Sequence, residues 1–170
     1  MQLTPAQLAT LKTWIIANNN SIFDASAVAL LNATASPDFW VWRTAVSKHE
    51  LVTKQSVDGT SFIWAGNGFI SRSAGEQACW TELFNSTLTT NPSLANVRQA
   101  FSDIFSGVGN AALNRTHLLA MARRKATVAE KMFAVGTGTT LSPATMGDGT
   151  AGTIAEGLIT LQNVIDAANS

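Results

Sequence analysis

Cysteine, tyrosine and charge are all scarce in this sequence. Cys79 is the only cysteine among 170 residues, which excludes an intrachain disulfide and a thiolate metal site. His49 and His117 are the only histidines, and neither stands in an HExxH or other metal-ligand spacing. No apolar run approaches the ~18 residues of a membrane span, and the opening "MQLTPAQLATLK" has no basic-then-apolar signal layout. The expectation is a protein made and folded in the cytoplasm, with no membrane partner. Charged residues make up 13% of the chain, against a norm of roughly 25%; Thr, Ser, Asn and Ala take their place. A surface of that kind costs little to cover, because it holds few ions to desolvate.

The net charge is zero, with an uneven distribution. Residues 1–109 hold six basic and seven acidic side chains, residues 110–135 are net +4, and residues 136–170 are net −3. Such a cationic segment and acidic tail would pair within one chain or between copies. It is not the broad basic footprint of a nucleic-acid binder. Catalytic groupings are also missing. Asp24, Asp38 and Glu50 are explained by helix starts, where acids favour the dipole. "GNG" and "GTGT" have neither the strand–glycine–helix setting nor the lysine of a phosphate loop. No enzyme activity, cofactor or metal is expected.

What is present is helix punctuation. In "LTPAQL", Thr4 is an N-cap, Pro5 opens the helix and Gln7 closes a capping box. Asp24 starts a second helix. Ser36 and Pro37 predict a third through "DFWVWRTAV", Ser47 and Glu50 cap a short fourth, and Ser73 and Glu76 form another capping box. Asn91 and Pro92 start a helix whose apolar face is Leu94, Val97, Phe101 and Ile104. One long helix is predicted from Asn110 to Val135, ended by Gly136. Between Val57 and Gly68, turn residues flank Phe62, Ile63 and Trp64, which predicts a loop or hairpin. After Gly136 the Gly/Thr-rich stretch has no apolar period; "IAEGLIT" suits a strand and Thr160 caps a last helix.

The predicted fold is therefore mainly α: a helical bundle over residues 1–135 with a small hairpin or irregular insertion at about 55–72, then an extended C-terminal arm, 136–170, with a short terminal helix. Within "SPDFWVWRTAVS", Phe39, Trp42 and Val46 share one helical stripe, and Trp40 points about 100° away. Core packing accounts for Phe39 and Trp42. Trp40, with Arg43, suits a second layer or a partner, since Trp and Arg dominate interface hot spots. Arg123, Arg124 and Lys125 admit three readings: a solvated face, a small DNA contact, or a protein-interface patch.

The blocks "LTPAQLATLKTWIIAN", "LLNATASPDFWVWRTAVSKHEL", "NPSLANVRQAF" and "RRKATVAEKMFAVGTGTTLSPATMG" resemble, in this order, a family of small structural proteins of tailed bacteriophages, the head-to-tail adaptors (connectors). The chain departs from that pattern around "TSFIWAGNGFISRSAGEQACW" and after "ATMG". The resemblance implies a mainly helical virion protein at the head–tail junction. It would form a ring of twelve copies beneath the portal protein, contact its neighbouring adaptor subunits and a tail or nozzle protein, and line a channel through which genomic DNA passes without sequence-specific contact. Candidate interface residues are Trp40, Arg43, Arg123, Arg124, Lys125 and Met146. Gly157, Leu158, Ile159 and Thr160 join them as a strand that would add to a partner's sheet edge. The competing readings are another virion role (tail completion or capsid accessory protein) and a small non-viral helical binding domain or enzyme.

Overall fold

A computed structural model describes residues 1–85, 88–139, 149–153 and 155–170. In chain order its elements are α1 (Pro5–Asn18), α2 (Ala25–Asn32), β1 (Trp40–Trp42), β2 (Val46–Ser47), α3 (Lys48–Thr53), a 3-10 turn (Gly66–Gly68), α4 (Ala74–Glu82) and β3 (Thr89–Thr90). Then follow α5 (Ala95–Ile104), α6 (Asn110–Met121), β4 (Arg123–Lys125), α7 (Val128–Met132), β5 (Ala134–Val135), β6 (Gly152–Thr153) and α8 (Leu161–Ala168). About 47% of the structure is helical and the strands are two or three residues long, so the fold is mainly α. The chain divides into two compact units: Met1–Val41 with Lys125–Gly138 and Ala151–Ser170, and Trp42–Arg124 with Thr139–Thr150.

The local helix signals act where the sequence put them. Thr4 and Gln7 cap α1 reciprocally, as do Ser73 and Glu76 on α4, while Asp24 caps α2 and Ser47 caps α3. The predicted third helix is absent: Trp40–Trp42 is strand β1, which pairs with β4, and the Ser36–Pro37 peptide bond is cis. The predicted long helix from Asn110 to Val135 is also interrupted. α6 stops at Met121, Arg123–Lys125 runs extended, and Thr127 restarts a helix through its own capping box with Glu130. Gly136 ends no helix; it follows β5, where a Cβ would sit 3.1 Å from Ala151 Cα. Asn91 caps its own turn by accepting from the Ser93 N–H at 3.0 Å, so α5 begins only at Ala95.

In the first unit Leu11 and Ile15 of α1, Ala27 and Leu31 of α2 and Ala129 of α7 form one cluster with Ile159, Val164 and Ala167. Ile159, Val164 and Ala167 of the expected arm are thus part of this core. Val164 and Ala167 are fully buried and Ile159 nearly so, because a short helix with one apolar face is stable only when that face is covered. Asn32 fixes the approach to α8 by accepting from the Ile159 N–H (2.8 Å) and donating to its carbonyl (2.9 Å). A second, smaller cluster joins Val41, Ala126 and Ala151, with Phe39 packed against it. Gly138 lies over the Phe39 ring, where any Cβ would overlap the ring atoms. β5 pairs antiparallel with β6, Ala134 opposite Thr153.

The second unit is built around Trp80, which is fully buried among Phe62, Phe84, Phe101 and Phe105. Ring centroids stand 5.0 Å (Phe84) and 5.4 Å (Phe105) from it, both in edge-to-face geometry, the arrangement the ring quadrupoles favour. Trp42 joins this core, with the Arg98 guanidinium 4.5 Å from its ring centroid. β2 pairs antiparallel with β3, Val46 opposite Thr90. Residues 55–72 contain no strand; Phe62 to Trp64 is irregular. Asn114 holds this backbone: it accepts from the Ile63 N–H (2.7 Å) and donates to the carbonyls of Ile63 (2.9 Å) and Gly68 (3.0 Å).

One substitution per unit tests this account. Asn114→Ala leaves three backbone groups unpaired at ~1–3 kcal/mol each, so a loss of about 3 kcal/mol or more is expected. Ile159→Ala opens a cavity worth ~2–5 kcal/mol. Urea unfolding followed by tryptophan fluorescence measures both losses. Hydrogen exchange assigns them, with Asn114→Ala stripping protection from the Ile63 amide.

Candidate functional site

Arg43, Arg123 and Arg124 come together in the second unit. With Lys54, Gln55, Val57 and Glu50 they line an open groove of about 300 Å³. α3 positions the acid: Ser47 caps this helix through the Glu50 N–H, which leaves the Glu50 carboxylate for Arg43. That pair is bidentate, at 2.9 and 3.0 Å, and Arg43 also donates to the Met121 carbonyl at 3.3 Å. The Arg43 guanidinium bonded to it holds the Glu50 carboxyl below its ordinary value, outweighing partial burial. Lys54 approaches the same carboxylate at 3.7 Å but is mostly exposed. Arg43, expected to face a partner, is therefore engaged within its own unit.

The three consecutive cations do not fan around a helix. They lie on an extended strand, and their burial steps from buried Arg123 through half-buried Arg124 to exposed Lys125. Arg123, 3% exposed, holds Asp58 with both carboxylate oxygens at 2.8 and 3.0 Å. It is a structural ion pair and not an open interface cation. Its burial demands such a partner, because a lone buried guanidinium costs several kcal/mol. Lys125 belongs to the first unit, where it meets Asp38 at 2.8 Å and lies 5.8 Å from the Trp40 ring centroid. Trp40 is half-buried; its backbone N–H donates to the Gly138 carbonyl and its backbone carbonyl accepts from the Ala151 N–H.

The expected C-terminal strand is not formed. Gly157 takes a positive φ and its N–H donates to buried Glu130 at 3.1 Å. Ile159 is core, and Thr160 caps α8 in a box with Asn163. Leu158 alone of the four offers an exposed apolar side chain, 62% accessible. Met146 lies outside the described residues.

Beside the groove runs a polar chain that pattern reading did not find. His117 is fully buried on α6. Its Nε2 lies 2.7 Å from the Leu51 carbonyl and its Nδ1 3.1 Å from the Thr60 hydroxyl. A carbonyl only accepts, so Nε2 carries the proton and Nδ1 accepts from Thr60. The Ser56 hydroxyl then donates to Thr60 Oγ1 at 2.7 Å, and Ser56 Oγ accepts the N–H groups of Asp58 and Thr60, each at 3.2 Å. Every donor is used once with the imidazole neutral. Burial holds the His117 pKa below its ordinary 6.5, against smaller raising contributions from its hydrogen bonds to Leu51 and Thr60. The Ser56–Thr60 turn thus carries Asp58 to Arg123. Sequence signals existed for part of this: "SVDGT" marks the turn, and "TVAE" is a capping box. Nothing local announced that Asp58 would meet Arg123.

Among the described residues no group of three His, Cys, Asp or Glu side chains is placed to hold a metal ion, and no helix is long and apolar enough to cross a membrane. Compared with known proteins, the chain matches no family model, no curated protein and no solved structure.

Two outcomes follow for this region. Asp58→Ala removes the carboxylate that holds buried Arg123 through both its oxygens, and a loss of ~3–5 kcal/mol is expected. Replacing both residues with apolar ones of similar size restores much of that loss, and a double-mutant cycle in urea separates the two. The second outcome concerns pH. With a folded pKa below the unfolded one, His117 stays neutral in the native state while the unfolded chain takes up a proton. Its contribution is whole above about pH 6.5 and is lost as the pH falls below that toward the folded pKa. His117→Gln, which keeps one donor and one acceptor, removes this slope between pH 7.5 and 5.5. The carboxylates of Asp24, Glu50 and Glu76, all lowered by their hydrogen bonds, act in a separate, more acidic window.

Proposed function

We propose that this chain is a structural subunit of the head–tail junction of a tailed bacteriophage: an adaptor that binds the portal protein, associates with copies of itself in a ring and joins the capsid to the tail. The supporting observation is that the sequence blocks carrying the family resemblance interlock residue by residue within each unit. In the second unit Trp42 of "FWVWRT" lies under Arg98 of "NPSLANVR". In the first, Phe39 of the same block packs against Gly138 and lies 5.6 Å from Lys131, both from the "RRKATVAEKMFAVGTGT" block, and Trp40 lies by Lys125. Motifs far apart in sequence thus act as one structural set. This packing supports reading the four blocks as parts of one scaffold.

In this reading the helical bundle is the body of the adaptor. The segment including Met146 and the exposed Leu158 serve as contacts to the portal or to neighbouring subunits. A tail or nozzle protein takes the other side, and DNA passes without sequence-specific contact.

The test is association with the portal protein of the same virus. Light scattering is expected to show the isolated chain as monomeric or weakly associated, and a ring-sized complex once portal is added. Leu158→Asp, at the exposed apolar candidate, is expected to weaken that complex about tenfold, ~1.4 kcal/mol. A map of the intact particle without this chain at the head–tail junction, or no complex with portal at any salt, overturns the reading. Copies found at the tail tip or on the capsid surface would place it in another virion role.

A further inference from the structure

The second unit carries a surface of a different kind from the cationic groove. α4 and α5 lie side by side, and a trough of about 410 Å³ runs between them, floored by Leu83, Ala100 and Ile104. A second hollow of about 340 Å³ shares Cys79, Asp103 and Ile104 with it and extends the trough to Ser73 and Gly75, at the start of α4. Together they follow the length of α4, nine residues or ~13 Å at 1.5 Å per residue. That is room for about two and a half turns of another helix.

Its walls carry uncompensated negative charge. Glu82, from α4, bonds only the amide of Asn85, at 3.2 Å; Asp103, from α5, bonds only the amide of Gln99, at 2.7 Å. Both side chains are exposed, and among the described residues no cation pairs with either. Glu76, at the far end, is by contrast neutralised by Arg72. An apolar floor with one free carboxylate on each wall is complementary to a helix that presents an apolar stripe flanked by Lys or Arg. The same two carboxylates repel nucleic acid and anionic lipid headgroups.

We infer that the trough between α4 and α5 is a docking site for a cationic amphipathic helical segment of a partner protein. Apolar residues one turn apart enter between Leu83 and Ile104, and flanking cations reach Glu82 and Asp103. The inference does not depend on the adaptor reading; it holds or fails on this surface alone.

The test uses the full chain and two synthetic peptides of about fourteen residues with one shared apolar stripe of Leu. One peptide has Lys on its polar face and the other has Glu. Fluorescence anisotropy is expected to show saturable binding of the Leu/Lys peptide that weakens with salt, and none of the Leu/Glu peptide. The pair Glu82→Lys and Asp103→Lys is expected to lower Leu/Lys affinity at least tenfold and to admit the Leu/Glu peptide. Asp166→Lys, a reversal of equal sign in the other unit, leaves binding unchanged. Cys79 is the only thiol and is exposed in the trough, so a bulky maleimide on the otherwise unaltered chain blocks binding even if the double variant fails to fold. Equal binding of both peptides, indifference to the maleimide, or an equal effect of Asp166→Lys overturns the proposal. Self-association lost in step with the maleimide would also overturn it, by making the occupant a second copy of this chain.

Discussion

Irregular backbone can enter a core only if its N–H and C=O groups find partners there, and the second unit depends on meeting that condition. The segment from Ser56 to Phe69 forms no ladder, yet it delivers Phe62 and Phe69 to the aromatic cluster around Trp80. One stripe of α6 supplies the missing partners. Asn110 donates to the Ala65 carbonyl, Asn114 serves Ile63 and Gly68, and His117 serves Leu51 and Thr60. These residues fall at i, i+4 and i+7, one face of a helix. Leu119, on the opposite side of α6, and Ala120, on its flank, belong to the same core. A helix apolar all round would have packed as well, but it would have left the loop's polar groups buried without partners, at ~1–3 kcal/mol each.

The first unit meets a similar condition with a carboxylate. Glu130 is 2% exposed. One oxygen accepts the Thr127 N–H at 3.0 Å, completing the cap of α7, and the other accepts the Gly157 N–H at 3.1 Å. A single acid so joins the start of one short helix to the turn that precedes another. Asn32 does the same for Ile159, and Asn163 reaches back to the Met1 carbonyl at 3.1 Å. Met1, Val164 and Ala167 thereby meet in one cluster.

Local signals were readable in sequence and long-range ones were not, for a physical reason. Caps depend on residues three apart, so Thr4–Gln7, Ser73–Glu76 and the Thr160 cap could be found without the fold. "FWVW" fits a helix by the spacing of Phe39, Trp42 and Val46, and fits a strand by its aromatic and β-branched content. What decides is β4, eighty residues downstream. There the Arg43 N–H donates to the Ala122 carbonyl in one unit and the Ala126 N–H to the Phe39 carbonyl in the other. That pairing also explains the break in the predicted long helix, since Arg123–Lys125 extends to make it. The box "TVAE" was the visible sign that a helix restarts there.

Charge partners are as little visible in sequence as strand partners. Along the chain, a net +4 segment precedes a net −3 tail, but several of its cations also hold acids from much earlier in the chain. In space Arg123 pairs with Asp58 and Lys125 with Asp38, both acids of the first hundred residues, while Arg115 donates to the Phe105 carbonyl and Lys131 lies over Phe39. Glu82 and Asp103 stand apart from these internal pairs, one on each wall of an apolar trough. Among the described residues Asp24 is also exposed with no cation beside it, but it caps a helix; what sets Glu82 and Asp103 apart is that they face each other across one apolar floor.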